Sequence, residues 1–198
     1  MRRTLTALFL MATLTGCATR WVVDNNVSSH SALAAVAAGA SYRFERLPSQ
    51  QDDAAAQRAL EAMAEAALAR VGLRRDDVAP AYTAQIGVRV TSELSPWADP
   101  WLYGGGWGPR RGYPGGWGWQ GAMFPPAATP WYAREVNIVL RELPSHRIVY
   151  ETRARNEGPY ASSTAVLPVM FDAALQGFPN PPAGERRVDI ELPRAASR

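Results

Sequence analysis

The sequence contains no lysine and only one cysteine, and such absences limit the kinds of site that the protein can form. The single cysteine, Cys17, cannot form a disulfide within the chain and offers no thiolate cluster to a metal ion. The two histidines, His30 and His146, lie far apart in sequence and at no spacing typical of metal ligands. There is also no phosphate-binding loop, no Gly-x-Ser-x-Gly elbow and no HExxH helix. We therefore predict no catalytic residues, no metal and no cofactor.

The chain also lacks an apolar run long enough to cross a membrane. The first run, residues 5–14, has about ten residues, whereas a spanning helix needs roughly 20. It follows the basic start Arg2-Arg3 and ends at Leu14-Thr15-Gly16-Cys17. This arrangement resembles the lipobox of bacterial lipoprotein signal peptides, which are removed from the mature protein. The resemblance implies that residues 1–16 are a signal peptide, cleaved between Gly16 and Cys17, and that Cys17 carries diacylglycerol and an acyl chain such as palmitate.

Location and charge follow from the same segment. Ala18 stands where many inner-membrane lipoproteins carry aspartate, so we expect a lipid-anchored protein of the outer membrane that faces the periplasm. Loss of Arg2 and Arg3 with the signal peptide lowers the formal net charge from +3 to +1. A chain with so little net charge is not expected to bind nucleic acid. Its use of arginine without lysine is typical of a GC-rich genome.

Residues 17–198 have the length of a single domain. Apolar and polar residues alternate, as in half-buried strands, along residues 21–24, 41–47, 81–94, 134–143, 148–155 and 187–192. Two other segments carry apolar residues at helical spacing, one between Ser49 and Gly72 and one between Ser163 and Gly177. This order predicts an α+β fold in which two amphipathic helices pack on a largely antiparallel sheet as a two-layer sandwich.

The first helix has the clearest signals. Ser49 stands three residues before Asp52, as in a capping box, and Gly72 followed by apolar Leu73 predicts a Schellman-type end. We expect Gln57 and Glu61 to lie mostly off the buried face. The apolar stripe that defines this face consists of Leu60, Met63, Ala64, Ala67, Leu68 and Val71.

An insertion rich in glycine, tryptophan and proline, residues 95–131, interrupts the strand pattern. It contains six of the seven tryptophans, and a segment this long without regular structure is usually functional or disordered. It is interpreted as a mobile loop, as a contact surface or as a locally packed element. A contact surface would bind an envelope protein, peptidoglycan or a lipid headgroup, since aromatic rings give large contact area at low entropy cost. The candidate contacts are Trp97, Trp101, Tyr103, Trp107, Trp117 and Trp119.

The body of the chain resembles the DUF4136 family of bacterial lipoproteins, a domain of unknown function, over about residues 20–193. The resemblance is carried by Ser41-Tyr42-Arg43-Phe44-Glu45-Arg46-Leu47-Pro48, Gly72-Leu73, Val136-Asn137-Ile138-Val139-Leu140, Arg147-Ile148-Val149-Tyr150-Glu151, and Met170-Phe171-Asp172-Ala173-Ala174-Leu175-Gln176-Gly177-Phe178-Pro179. It implies an envelope location and an α/β fold, and it implies no catalytic residues.

Two functional hypotheses follow from the sequence. The first is a non-catalytic binding or accessory module of the envelope, held in the outer membrane by the lipid on Cys17. The alternative is a periplasmic enzyme that acts on a cell-wall or lipid substrate. A converged polar cluster in a deep pocket would favour the alternative, and the test between the two is whether His30 or His146 lies within hydrogen-bonding reach of a carboxylate and a hydroxyl.

Overall fold

A computed structural model describes residues 21–94, 130–159 and 163–192, which form one seven-stranded sheet with helices on one face. The sheet has the order β3-β2-β4-β5-β6-β1-β7. The helices are α1 (Pro48–Gln51), α2 (Ala54–Arg70) and α3 (Ser163–Leu175). The strands are β1 (Val22–Ser31), β2 (Ser41–Glu45), β3 (Arg74–Arg75), β4 (Tyr82–Leu94), β5 (Pro130–Glu142), β6 (Ile148–Gly158) and β7 (Glu185–Glu191).

The predicted α+β sandwich is confirmed. The strand pairs β4–β5, β5–β6, β6–β1 and β1–β7 are all antiparallel, while β2 runs parallel to both β3 and β4. Parallel neighbours need a crossover connection, and the segment that contains α1 and α2 supplies it between β2 and β4. β2 pairs only with residues 82–85 of β4.

The core lies between the sheet and the two long helices. Because side chains alternate across a strand, every second residue of the central strands points at the helices and is buried. The sequence predicts a buried stripe of Leu167, Met170, Phe171, Ala174, Leu175 and Phe178. The first five are buried on α3, together with Val166, Val169 and Ala173, whereas Phe178 lies beyond the helix and is half-buried. From the sheet, the core includes Val23, Val27, Ala84, Ile86, Val136, Ile138, Leu140, Tyr150 and Ala154.

The first strand is longer than the pattern of residues 21–24 predicts. β1 continues to Ser31 and pairs with β6 on one side and β7 on the other. Polar Asn25 and Ser29 interrupt its apolar pattern, yet both are buried on the helix side. Hydrogen bonds make this burial tolerable, because Asn25 Nδ2 donates to Val188 O and Ser29 Oγ bonds Thr152 Oγ1. β5 also begins earlier than expected, so Pro130 and Trp131 belong to a strand rather than to the insertion.

The start of the first long helix differs from the capping-box prediction. The chain makes the short helix α1, breaks at Asp52 and Asp53, and begins α2 at Ala54. Asp53 is the N-cap, since its Oδ1 accepts a hydrogen bond of 3.0 Å from Ala56 N. The Schellman-type end is confirmed, because Gly72 has φ +87° and Leu73 N donates to Leu68 O.

The expectation that Gln57 and Glu61 lie off the buried face is wrong. Both are buried, because Arg46, just beyond β2, folds over α2 and pairs with Glu61. Arg46 Nε and Nη2 each donate to one carboxylate oxygen at 2.6 Å, and Gln57 Nε2 donates to Glu61 Oε1. A bidentate arginine is the partner that makes a buried carboxylate tolerable, and only the fold brings the two residues together.

Gly87 in β4 leaves the space that the Asn137 side chain occupies. The two residues are opposite each other in β4 and β5, and a Cβ on Gly87 would lie 2.2 Å from Asn137 Oδ1. We expect Gly87→Ala to lower the free energy of unfolding by about 1 kcal/mol through overpacking. In an Asn137→Ala background, Gly87→Ala should be neutral or stabilising, since alanine restricts the unfolded chain more than glycine. Urea unfolding of the four variants measures this coupling, and equal effects in both backgrounds would contradict it.

Candidate functional site

The site residues predicted from the sequence lie outside the described residues. Gly16 and Cys17 precede residue 21, and the six aromatic candidates Trp97, Trp101, Tyr103, Trp107, Trp117 and Trp119 lie between residues 94 and 130. The structure does place the points where the chain leaves and re-enters the described part. The points next to the predicted site residues are Trp21, Leu94 and Pro130, and their relative position can be read from the strand register.

One row of paired residues crosses five strands of the sheet. Arg89 is opposite Glu135, Glu135 opposite Arg155, Arg155 opposite Asn26, and Asn26 opposite Arg187. Five residues beyond this row in the same direction are Leu94 on β4, Pro130 on β5, Trp21 before β1 and Leu192 after β7. These four residues lie at the same end of their strands, and this end of the sheet is called the insertion end. The opposite end of the strands, which holds the turn at residues 143–147, is called the turn end.

The insertion end carries exposed apolar side chains. Trp21 is 53% exposed and Val22 is 37% exposed. Trp21 O accepts a hydrogen bond of 2.7 Å from Leu192 N, which ties the first and last described residues together. The sequence pattern identified Trp21 only as the start of a strand, since neither its exposure nor its neighbours can be read from alternation alone.

The start of α3 is fixed to the sheet near this end by a buried arginine. Arg134 on β5 lies opposite Asn156 on β6, and both face the helices and are buried. Arg134 Nε donates to Ser163 Oγ at 3.2 Å, and its guanidinium lies 5.0 Å from the Tyr132 ring. Burial lowers the pKa of Arg134 from its usual value. Because the usual value is so high, the guanidinium stays charged.

The face of the sheet away from the helices is a ladder of paired charges. Glu135 accepts from Arg155 at 2.7 Å and lies 3.3 Å from Arg153, while Arg187 pairs with Asp189 at 2.9 Å and Asp24 at 3.6 Å. Such exposed pairs contribute little to stability. They do pair these arginines with carboxylates within the sheet. This face therefore carries both positive and negative charges and is not uniformly positive.

A cluster of hydroxyl groups lies under the end of α3. Ser29 Oγ is 2.8 Å from Thr152 Oγ1, Thr152 Oγ1 donates to Ala174 O at 2.7 Å, and Arg186 donates to Ser29 Oγ and Gln176 O. Burial raises the pKa of Tyr150 beside them. A hydroxyl needs an adjacent base to become a nucleophile, whereas here Thr152 Oγ1 donates to the Ala174 carbonyl and Ser29 Oγ bonds Thr152 Oγ1. The cluster holds the last turn of α3 against the sheet.

The described part of the chain does not contain the histidine arrangement by which the enzyme hypothesis is tested. His30 is exposed on β1 opposite Glu151, and His146 is exposed in the turn with φ +55°. Within residues 21–94, 130–159 and 163–192, neither imidazole is hydrogen-bonded to a carboxylate or a hydroxyl, and no group of three metal-binding side chains comes together. Among the helices described, none has the length and apolar character needed to cross a membrane.

Two clefts lie on the helix side. One, of about 470 Å³, is lined by Phe44, Arg46, Gln51, Ala54, Arg75 and Asp77. The other, of about 460 Å³, lies between α2 and α3 beside Ile190. In the first, Arg75 pairs with Asp77 at 3.1 Å, and in the second, Arg70 pairs with Asp172. The charged groups at both clefts are therefore held by neighbours within the protein.

Comparison with known proteins assigns the family. Residues 25–180 match the model of DUF4136, a domain of unknown function. The chain therefore belongs to the DUF4136 family, and the resemblance described from the sequence is confirmed. No curated protein matches the chain.

Solved structures match the chain at low sequence identity. The PelC dodecamer from Paraburkholderia phytofirmans is 11% identical, with a TM-score of 0.47 over 80% of this chain and 99% of that one. A PelC variant from the same organism is 12% identical, with a TM-score of 0.46 over 76% of this chain and 94% of that one. A PDZ domain protein from Parabacteroides distasonis is 12% identical, with a TM-score of 0.49 over 93% of this chain and 42% of that one.

Proposed function

We propose that this protein is a lipoprotein of the outer membrane, anchored through Cys17, whose periplasmic domain is a binding or accessory module of the envelope and not an enzyme. The observation that carries the proposal is the segment Leu14-Thr15-Gly16-Cys17, which ends an apolar run behind a basic start and contains the only cysteine. Triple acylation of such a cysteine gives stable anchoring, because each buried CH₂ contributes about 0.8 kcal/mol. The first strand, β1, begins at Val22, five residues after Cys17, which is consistent with a short tether.

The character of the described surface supports a binding role. Arg155 and Arg187 on the sheet face and Arg75 at the first cleft are engaged in ion pairs, and the buried Thr152 hydroxyl bonds a backbone carbonyl. What the chain offers to a partner is concentrated in aromatic side chains, with Trp97, Trp101, Tyr103, Trp107, Trp117 and Trp119 as the proposed contacts. Aromatic contacts suit an envelope protein, peptidoglycan or a lipid headgroup.

The anchor is tested by substitution on either side of the cleavage position. We expect Cys17→Ser to abolish incorporation of labelled palmitate and to release the protein from membranes, since no other thiol can be acylated. Ala18→Asp should keep the palmitate label and move the protein to the inner membrane, whereas Ala18→Ser should leave it in the outer membrane. Metabolic labelling followed by density-gradient separation of the two membranes measures both effects. Palmitate incorporation into Cys17→Ser at the wild-type level would refute the anchor.

A further inference from the structure

We propose that the insertion end of the sheet lies against the membrane that holds the anchor, with the Trp21 ring in the headgroup region. The inference rests on the proposed lipid anchor at Cys17. The partner of this surface is a lipid bilayer, and the residues proposed to contact it are Trp21 and Val22.

The length of the tether decides which end of the sheet can reach lipid. Cys17 precedes Trp21 by four residues, and four extended residues span at most about 14 Å. β5 alone has 13 residues, which at about 3.4 Å per residue separates the two ends of the sheet by roughly 40 Å. The insertion end is therefore held near the bilayer, and the turn end stays far from it when the sheet stands upright.

Exposed apolar residues occur at both ends, but only those at the insertion end are kept near the bilayer by the tether. Val78 and Ile148, which are 94% and 45% exposed, lie at the turn end beyond the tether. At the insertion end, Trp21 and Val22 combine an apolar surface with the indole N–H, and tryptophan is enriched at the boundary between lipid and water. The tether and the side-chain chemistry therefore select the same end.

The charges near the insertion end define the kind of lipid contact. Glu93, Glu157 and Glu191 lie within three residues of it and are exposed. Acidic groups do not attract anionic headgroups, so the contact depends on apolar and interfacial burial instead of on charge. It should therefore form on zwitterionic phosphatidylcholine and persist at high salt, because screening weakens only electrostatic attraction.

The insertion joins the sheet at the same end as the tether. β4 ends at Leu94 and β5 begins at Pro130, so the chain enters and leaves the insertion at the end that the tether holds near the membrane. This position follows from the described strands alone. The tether from Cys17 and both connections to the insertion therefore join the sheet at the same end.

The experiment uses the full-length lipidated protein with one added cysteine. Because Cys17 carries lipid, a second cysteine is the only free thiol and can be labelled with a fluorophore. We expect Val22→Cys to be quenched severalfold more strongly than Ser145→Cys, which lies at the turn end, in phosphatidylcholine vesicles whose headgroups carry a nitroxide quencher. Trp21→Cys serves as a second label position if Val22→Cys does not fold.

Controls separate this proposal from the anchor itself. Trp21→Ser should reduce quenching of the Val22→Cys label, while Val78→Ser, an exposed apolar residue at the turn end, should leave it unchanged. Equal quenching of the two label positions in protein that carries palmitate would overturn the orientation and leave the anchor standing. Self-quenching that rises with protein density instead of with nitroxide content would assign the surface to a second copy and also overturn it. Absence of palmitate would refute the anchor, on which the orientation depends.

Discussion

Replacing Arg46 by methionine is expected to destabilise the protein more than replacing Glu61 by methionine, although both changes remove the same ion pair. The Glu61 side chain is 3% exposed and that of Arg46 is 31% exposed. When Glu61 is replaced, Arg46 can turn to water, and the loss is that of charge-assisted hydrogen bonds, about 2 kcal/mol. When Arg46 is replaced, a buried carboxylate is left without its partner, and we expect about twice that loss.

The pH dependence of the two variants distinguishes this explanation from simple packing. Burial acts to raise the pKa of Glu61, but hydrogen bonds from Arg46 and Gln57 outweigh it and hold the pKa below its ordinary value of 4.5. In the wild type the pair therefore stabilises the fold above about pH 4.5, and this contribution is lost as the pH falls through the lowered pKa of Glu61. In Arg46→Met the unpaired carboxylate has a raised pKa, so its penalty disappears once it is protonated.

Denaturant unfolding between pH 4 and pH 8 measures both effects. We expect the difference in unfolding free energy between Arg46→Met and Glu61→Met to be large at pH 7 and to close towards pH 4. A difference that stays constant across this range would show that the loss comes from packing of the arginine side chain and not from the stranded carboxylate.

Replacing Phe171 by alanine is expected to produce the largest loss from a single core position. Phe171 lies on α3, is 0% exposed and belongs to the cluster between the sheet and the two long helices. Truncation of a buried phenylalanine costs about 3–5 kcal/mol, since the removed ring leaves a cavity that the surrounding structure fills only in part. For a domain of this size that corresponds to a fall in Tm of about 10 °C.

The neighbouring Met170 supplies the matched control. It is equally buried, and Met170→Leu keeps nearly the same volume, so its cost should stay below about 1.5 kcal/mol. Thermal unfolding followed by circular dichroism gives both values. If Phe171→Ala and Met170→Leu had the same Tm, α3 would not be packed in the core as described.

The fold was predictable from the sequence where a single pattern governed a segment. β6 is an example, since its alternation places Glu151, Arg153 and Arg155 in solvent and the structure agrees. β1 was predicted too short because Asn25 and Ser29 break its apolar pattern, and their hydrogen bonds to other strands are invisible in the local sequence. For the same reason the buried state of Glu61 could not be predicted, because its partner Arg46 lies 15 residues away and meets it only through tertiary packing.

The candidate site divides in a similar way. The lipobox at Gly16 and Cys17 is a local motif that the sequence displays in full. The position of Trp21 beside Leu192, and at the same level as Leu94 and Pro130, depends on the register of several strands. Register is fixed by the burial of one face of the sheet, so local alternation alone cannot place these four residues at one end of the sheet.

The pairing of Leu94 with Pro130 also bears on how this protein can change over evolutionary time. The residues that flank the insertion are neighbours across a strand pair, so β4 and β5 can stay paired whatever number of residues joins them. Each doubling of a flexible loop adds only about 0.6 kcal/mol to the cost of closing it. Residues can therefore be gained, lost or exchanged between these two strands at little cost to the core, which leaves this segment free to diversify while the sheet and helices stay the same.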